Sequence, residues 1–192
     1  MTDPPTSQIA DLPDRLRRSG RDPVADPAGT PTDDSVTTPT ARLQALGIEL
    51  PPVPVPQASY VPAVRDGDWV WTAGQLPLVA GKLTETGLVG AEVDPERAAG
   101  LARICALNAL AAAAEAAGGL DRIRRIVKVV GFVASAPGFT GQPAVINGAS
   151  DLIGQVFGAA GRHARSAVGV AALPLGSPVE VELVAVVKPD GA

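Results

Sequence analysis

Residues 163–182, HARSAVGVAALPLGSPVEVE, hold one arginine and two carboxylates on two stretches that alternate with the period of a β-strand. Val179, Val181, Leu183 and Ala185 would line one face of the second stretch, leaving Glu180 and Glu182 on the other. In the first stretch Val168 and Val170 would face the core with Ser166, so that Arg165, Ala167 and Gly169 point away from it. Between the two, Leu173 to Pro178 contains two prolines and a glycine, which cannot continue a ladder and predict the turn of an antiparallel pair. Arg165 and Glu180 would then project from the same, non-core side. A guanidinium is always charged and presents a planar fork that matches a carboxylate, so Arg165 is the natural anchor for a small carboxylic acid. The plainer reading is an arginine that pairs with a nearby glutamate. A turn at Leu173 would set Arg165 and Glu180 face to face, and a turn at Leu175 to Gly176 would offset them; the sequence leaves that register open.

The elements that would hold this pair lie upstream. Residues 60–64 and 69–73, joined by Asp66-Gly67-Asp68, predict a β-hairpin, because aspartate and glycine supply the turn between apolar runs. Gly74-Gln75-Leu76-Pro77 stops its second strand, and a short strand is expected within 83–89. Asp94-Pro95-Glu96 opens a helix with a capping aspartate, a proline at the first position and an acid at the positive end. It should run to Ala117 and end at Gly118-Gly119. Its alanine and leucine content is high enough for much of its circumference to be either covered or merely bland, and Cys105, mid-helix, is read as packing. Residues 126–135 are rich in β-branched side chains and predict a buried strand. Arg122, Arg124, Arg125 and Lys128 make a basic cluster at its start; with no aromatics interleaved, a solvated strand end is favoured over an RNA contact. A second helix is expected from Gln142 or Pro143 to Phe157, with Val145, Ile146, Ile153 and Phe157 as its apolar stripe. The order gives an α+β fold, a mixed β-sheet with two helices on one face. The other face would carry Arg165 and the glutamates, open to a partner subunit whose packing would build a pocket.

Composition narrows the function classes. The chain has 192 residues, 46% of them hydrophobic, and a net charge of −4; one domain with a sizeable core is expected. Charge is nearly balanced beyond residue 40, which gives no electrostatic bias towards nucleic acid or anionic membranes. One cysteine and one histidine leave no internal disulfide and no zinc cluster, so a reducing, cytoplasmic setting is expected. No apolar run is read as reaching the roughly 20 residues that span a bilayer, and no leader pattern opens the chain. Residues 1–40, rich in Pro, Asp, Thr, Ser and Arg, are expected to be a disordered tail. Residues 41–56 would form a short helix and a proline-rich strap, 57–188 the domain, and 189–192 a C-terminal tail.

The segment around Ala164-Arg165-Ser166, followed by the Val179-Glu180-Val181-Glu182 strand, resembles the signature region of the RidA/YjgF family. The likeness covers about residues 57–188. It implies a chorismate-mutase-like fold, a homotrimer with sites between subunits, and hydrolysis of reactive enamines and imines to 2-oxo acids and ammonia, without metal or organic cofactor. By the same resemblance Arg165 would bind the substrate carboxylate and Glu180 would position the attacking water. Tyr60 and Gly74, the latter in TAGQLP, would line the pocket with Ala73, and Asn147, in VINGAS, would stand near the start of the second helix. Ala73 occupies the place of a frequent pocket serine, Ala167 that of a cysteine and His163 that of a proline. The family uses no histidine at that place, although the neutral-range pKa of His163 would suit acid or base work. The partner expected is a small imino or 2-oxo acid, with no membrane. Two rivals remain: a non-catalytic trimer that binds 2-oxo acids, and an endoribonuclease, an activity attached to the family by name and disfavoured by the sparse aromatics.

Overall fold

The computed structural model describes residues 38–53 and 59–189. The expected tail up to residue 37 and the prolines at 54 and 56 lie outside the described residues. Helix α1 (Pro39–Ala45) begins two residues earlier than expected, because Thr38 caps it, its hydroxyl accepting from Ala41 N at 3.2 Å, with Pro39 in the first turn. Residues 46–53 continue as the strap.

Strands β1 (Ala63–Asp66) and β2 (Trp69–Thr72) form the expected hairpin. The short strand expected within 83–89 is instead a two-residue pair, β3 (Leu78–Val79) with β4 (Lys82–Leu83). Helix α2 (Pro95–Ala117) starts and ends where its caps predict: Asp94 Oδ1 accepts from Glu96 N at 2.8 Å, and Gly118 takes the left-handed conformation at φ 81°. Strand β5 (Ile123–Ala134), helix α3 (Gln142–Phe157), β6 (Ala164–Val170) and β7 (Val179–Val187) complete the domain. The five long strands form one mixed sheet in the order β1-β2-β7-β5-β6, parallel only between β5 and β6.

That order corrects the hairpin expected for residues 163–182. β6 and β7 do not pair; β5 lies between them and bonds to both. The cause is the connection through α3, which returns β6 parallel to β5 on one side, as a crossover must. The Pro174–Gly176 turn then carries the chain over the end of β5 to its other side. Ser135 N donates to Val170 O and Ala134 N to Pro178 O, so the end of β5 is tied to both ends of that turn.

Both helices pack on one face, as expected. Val179, Val181, Leu183 and Ala185 of β7 are buried there. On β5 the inward residues are Ile123, Ile126, Val129 and Val133, and the three-residue spacing at the start follows from two register shifts against β7. Helix α2 is buried on nearly every side, as an all-round apolar helix must be. The strap at Leu50 to Val53 lines one cleft together with Ala111 and Ala114, and Asn108 Nδ2 donates to Leu76 O and Leu78 O at 2.9 and 3.1 Å. By length and composition α2 could cross a membrane, which corrects the expectation that no such run exists; 89% of that window is buried inside the fold. Cys105 is buried, its thiol donating to Val179 O at 3.6 Å, and burial pushes its pKa well up, so it is packing as expected.

The orientation of β6 is the second correction. Ala167 packs against the core while Val168 is 44% exposed, the reverse of the alternation expected from hydrophobicity. Helix α3 approaches so closely that only small residues fit beneath it. A Cβ on Gly131, the partner of Ala167, would lie 2.3 Å from Ile146, and one on Gly169 would lie 2.8 Å from Gln142. Arg165 shares the parity of Ala167 and Gly169, so it points to the helix side and not to the open face.

Candidate functional site

The guanidinium of Arg165 rests on the first half of α3. Nη1 donates to Asn147 Oδ1 at 2.8 Å and to Ser150 Oγ at 3.0 Å, and Nη2 donates to Pro143 O at 3.2 Å. A guanidinium has five N–H groups; three are spent on α3, which orients the fork and, among the described residues, leaves two for a ligand. Pro143, Asn147 and Ser150 share one helix face because they are four and three residues apart. Arg165 and Asn147, both expected to be site residues, are therefore brought into direct contact.

Ser150 and His163 were not expected at the site. Ser150 Oγ lies 3.1 Å from His163 Nε2, and His163 Nδ1 lies 2.7 Å from Gly161 O. Partial burial holds the imidazole below its ordinary pKa, against the hydrogen bond to Gly161 and with help from Arg165, so the ring is neutral at neutral pH. Beside these groups is a cleft of about 390 Å³ lined by Ser150, Gly154, Gly161, Arg162, His163 and Arg165. The signal was present in the sequence, since Ser150 follows Asn147 by three in a helix and His163 precedes Arg165 by two in an extended stretch.

Glu180 is placed elsewhere. It lies on the open face, two strands from β6 and three residues along β5 from the level of Arg165. Two strand spacings alone separate them by roughly 10 Å, and they project from opposite faces. A single chain therefore does not bring Arg165 and Glu180 together, contrary to the shared non-core side expected. Glu180 instead meets Gly74, where its Oε1 lies 1.6 Å from the position a Cβ would take. Gln75 N donates to Val181 O at 2.8 Å and Val181 N to Gln75 O at 3.0 Å, which holds the backbone at Gly74 beside the carboxylate. Ala73 N donates to Pro62 O at 2.9 Å, and Tyr60, 49% exposed, lies two residues before Pro62. Gly74 and Glu180 thus meet on the open face, with Ala73 next to them in the chain and Tyr60 just before β1, whereas Arg165 with Asn147 lies on the helix side at the β6 edge of the sheet.

Burial of Glu180 and, secondarily, the charge of Glu182 raise the Glu180 pKa from its ordinary value. Gly74→Ala is expected to push the carboxylate aside without unfolding the chain, because the clashing atom is the free end of a side chain. Thermal melting should change by no more than a couple of degrees while any reaction that needs Glu180 slows by about tenfold.

The open face carries Trp69 and Trp71, stacked at 6.0 Å and each 42% exposed, together with exposed Val64 and Val168. The basic cluster is largely occupied internally: Arg122 donates to Lys188 O and Pro189 O, Arg125 to Arg162 O and Lys128 to Ser166 Oγ. Among the described residues no group of three or more His, Cys, Asp or Glu is arranged to hold a metal ion.

The five-stranded mixed sheet with two helices on one face is that of the chorismate-mutase-like α+β proteins. Residues 40–187 match the family described as "YjgF/chorismate mutase-like, putative endoribonuclease", and the chain belongs to that family. Protein TCP17 of Trypanosoma cruzi is 48% identical over 145 residues, covering 74% of this chain and 89% of that protein. A crystal structure of a protein with unknown function from Agrobacterium tumefaciens is similar at 46% identity and TM-score 0.72, covering 78% of this chain and 92% of that one. A crystal structure of a "putative endoribonuclease" from Shewanella oneidensis is similar at 36% identity and TM-score 0.76, covering 79% and 100%.

Proposed function

We propose that this protein hydrolyses 2-imino acids, the tautomers of reactive enamines, to 2-oxo acids and ammonia, using a site formed between copies of the chain. The observation that carries the reading is Arg165: three N–H groups fix its fork on α3 and two remain for a carboxylate. The E. coli TdcF structure, 27% identical at TM-score 0.50, holds bound serine, a ligand with the same carboxylate group. Because Arg165 and Glu180 face opposite sides of the sheet, the reaction needs the Tyr60, Gly74 and Glu180 end of one copy against the β6 edge of another. A homotrimer closed through the exposed Trp69, Trp71 and Val64 face would supply that contact.

In this reading the substrate carboxylate docks on Arg165 of one chain. Glu180 of the other takes a proton from water as its oxygen bonds to the C=N carbon, the C=N π electrons pass to nitrogen, and the Glu180 carboxyl returns that proton to the nitrogen. The carboxylate then takes the hydroxyl proton of the tetrahedral adduct and passes it to the amine, so that the C–N bond breaks, the C=O forms and ammonia leaves. Imines hydrolyse unaided, so positioning and one carboxylate suffice.

The test is a coupled assay in which an amino-acid oxidase makes the imine in situ and semicarbazide traps what escapes hydrolysis. Clearance above the uncatalysed rate supports the reading; none with any of several imines would sink it. Activity should fall as pH drops through the raised Glu180 pKa, so the acid limb of kcat/KM lies at higher pH than an ordinary glutamate gives. Glu182→Gln removes the like charge and should move that limb to lower pH, though not fully, because burial remains.

The family description favours one rival, endoribonuclease action. Cleavage of RNA with binding that weakens steeply as salt rises would support it. Binding of a 2-oxo acid without imine turnover would support the other rival, a non-catalytic binding trimer.

A further inference from the structure

With the imidazole of His163 neutral, the hydrogen bonds behind Arg165 have one consistent direction. A backbone carbonyl can only accept, so the 2.7 Å contact to Gly161 O places the proton of His163 on Nδ1. The neutral ring then offers Nε2 as an acceptor, and Ser150 must donate its hydroxyl hydrogen there across 3.1 Å. With that hydrogen committed, a lone pair of Ser150 Oγ is turned to accept from Arg165 Nη1 at 3.0 Å. Gly161, in the short turn after α3, is itself fixed, since a Cβ there would lie 2.6 Å from Ile153 O. The relay therefore runs from rigid backbone through His163 and Ser150 to the guanidinium.

We propose that Ser150 and His163 are positioning residues for Arg165, a hydrogen-bonded relay that holds its fork in the orientation that receives a substrate carboxylate. The inference rests on the proposed role of Arg165. Neither side chain touches the reacting atoms in this scheme. Losing Ser150 leaves Nη1 on Asn147 alone, and losing His163 frees the Ser150 hydroxyl to rotate and turn its hydrogen towards the guanidinium. Either loosens the fork on α3, which weakens carboxylate capture and not the later water attack.

The full chain is compared with Ser150→Ala, His163→Asn, His163→Gln and Arg165→Ala in the imine assay and, separately, in calorimetric titration with pyruvate as a stand-in carboxylate. A Gln oxygen can reach the place of Nε2 and accept from Ser150, whereas the shorter Asn keeps only the bond to Gly161. Ser150→Ala and His163→Asn are expected to raise KM and the pyruvate Kd by about 5- to 10-fold with kcat within twofold, while His163→Gln stays within about threefold of wild type. Melting curves confirm that each variant is folded. Should Arg165→Ala lose binding while Ser150→Ala and His163→Asn bind like wild type, the relay is overturned and the anchor survives. Should Arg165→Ala also bind pyruvate and turn over imine like wild type, the anchor fails and the relay with it. If wild type clears no imine yet binds pyruvate in the expected order of variants, the relay stands and the catalytic reading alone is lost.

Discussion

Arg165→Ala is expected to lower kcat/KM for imine hydrolysis by on the order of 100-fold, because it removes a charge-assisted fork that no neighbour can replace. The loss should appear mainly in KM. Asn147 is exposed and Ser150 only partly buried, so water can satisfy the groups left behind and melting should shift little. Arg165→Lys should recover only part of the activity. An ammonium keeps the charge but has three donors on a tetrahedral centre, and it cannot serve Asn147, Ser150 and Pro143 while presenting a parallel pair to a carboxylate. Steady-state kinetics of the three proteins on one imine checks both statements. If alanine and wild type are indistinguishable, Arg165 is not the anchor.

The second large effect is expected on stability, at the crossing of the two helices. A Cβ on Gly148 would lie 1.9 Å from Ala99 O. The obstruction is backbone, so it cannot swing aside, and α2 and α3 must separate to admit even a methyl group. Gly148→Ala is expected to cost about 3 kcal/mol, despite the roughly 1 kcal/mol that alanine gains over glycine in a helix. For a domain of this size that is a fall in Tm of about 10 °C. Gly154→Ala, in the same helix with nothing within 4 Å of the added Cβ, is the control and should melt at or above the wild-type temperature. Equal behaviour of the two variants would mean that the helices do not meet as described.

Much of the fold was legible because local chemistry fixes it. Asp94, Pro95 and Glu96 announce the start of α2, and Gly118 its end, through capping and left-handed backbone preferences that need no distant partner. The first hairpin and the β7 alternation were legible for the same reason. The β6 orientation was not: hydrophobicity favours Val168 inside, but the approach of α3 leaves room only for Ala167 and Gly169. Which residue a helix will crowd is a property of two elements distant in sequence.

By itself, then, the sequence determined the α+β class, the ends of both long helices and Arg165 and Glu180 as residues worth placing, and its family resemblance added Asn147 and Gly74. Only the tertiary structure decided their grouping. The insertion of β5 between β6 and β7 parts Arg165 from Glu180, and the face of α3 gathers Asn147, Ser150 and His163 around Arg165. Strand periodicity says that neighbours alternate; it does not say which strand lies beside which, because that is settled by the route of the α3 crossover and by the space beneath the helix.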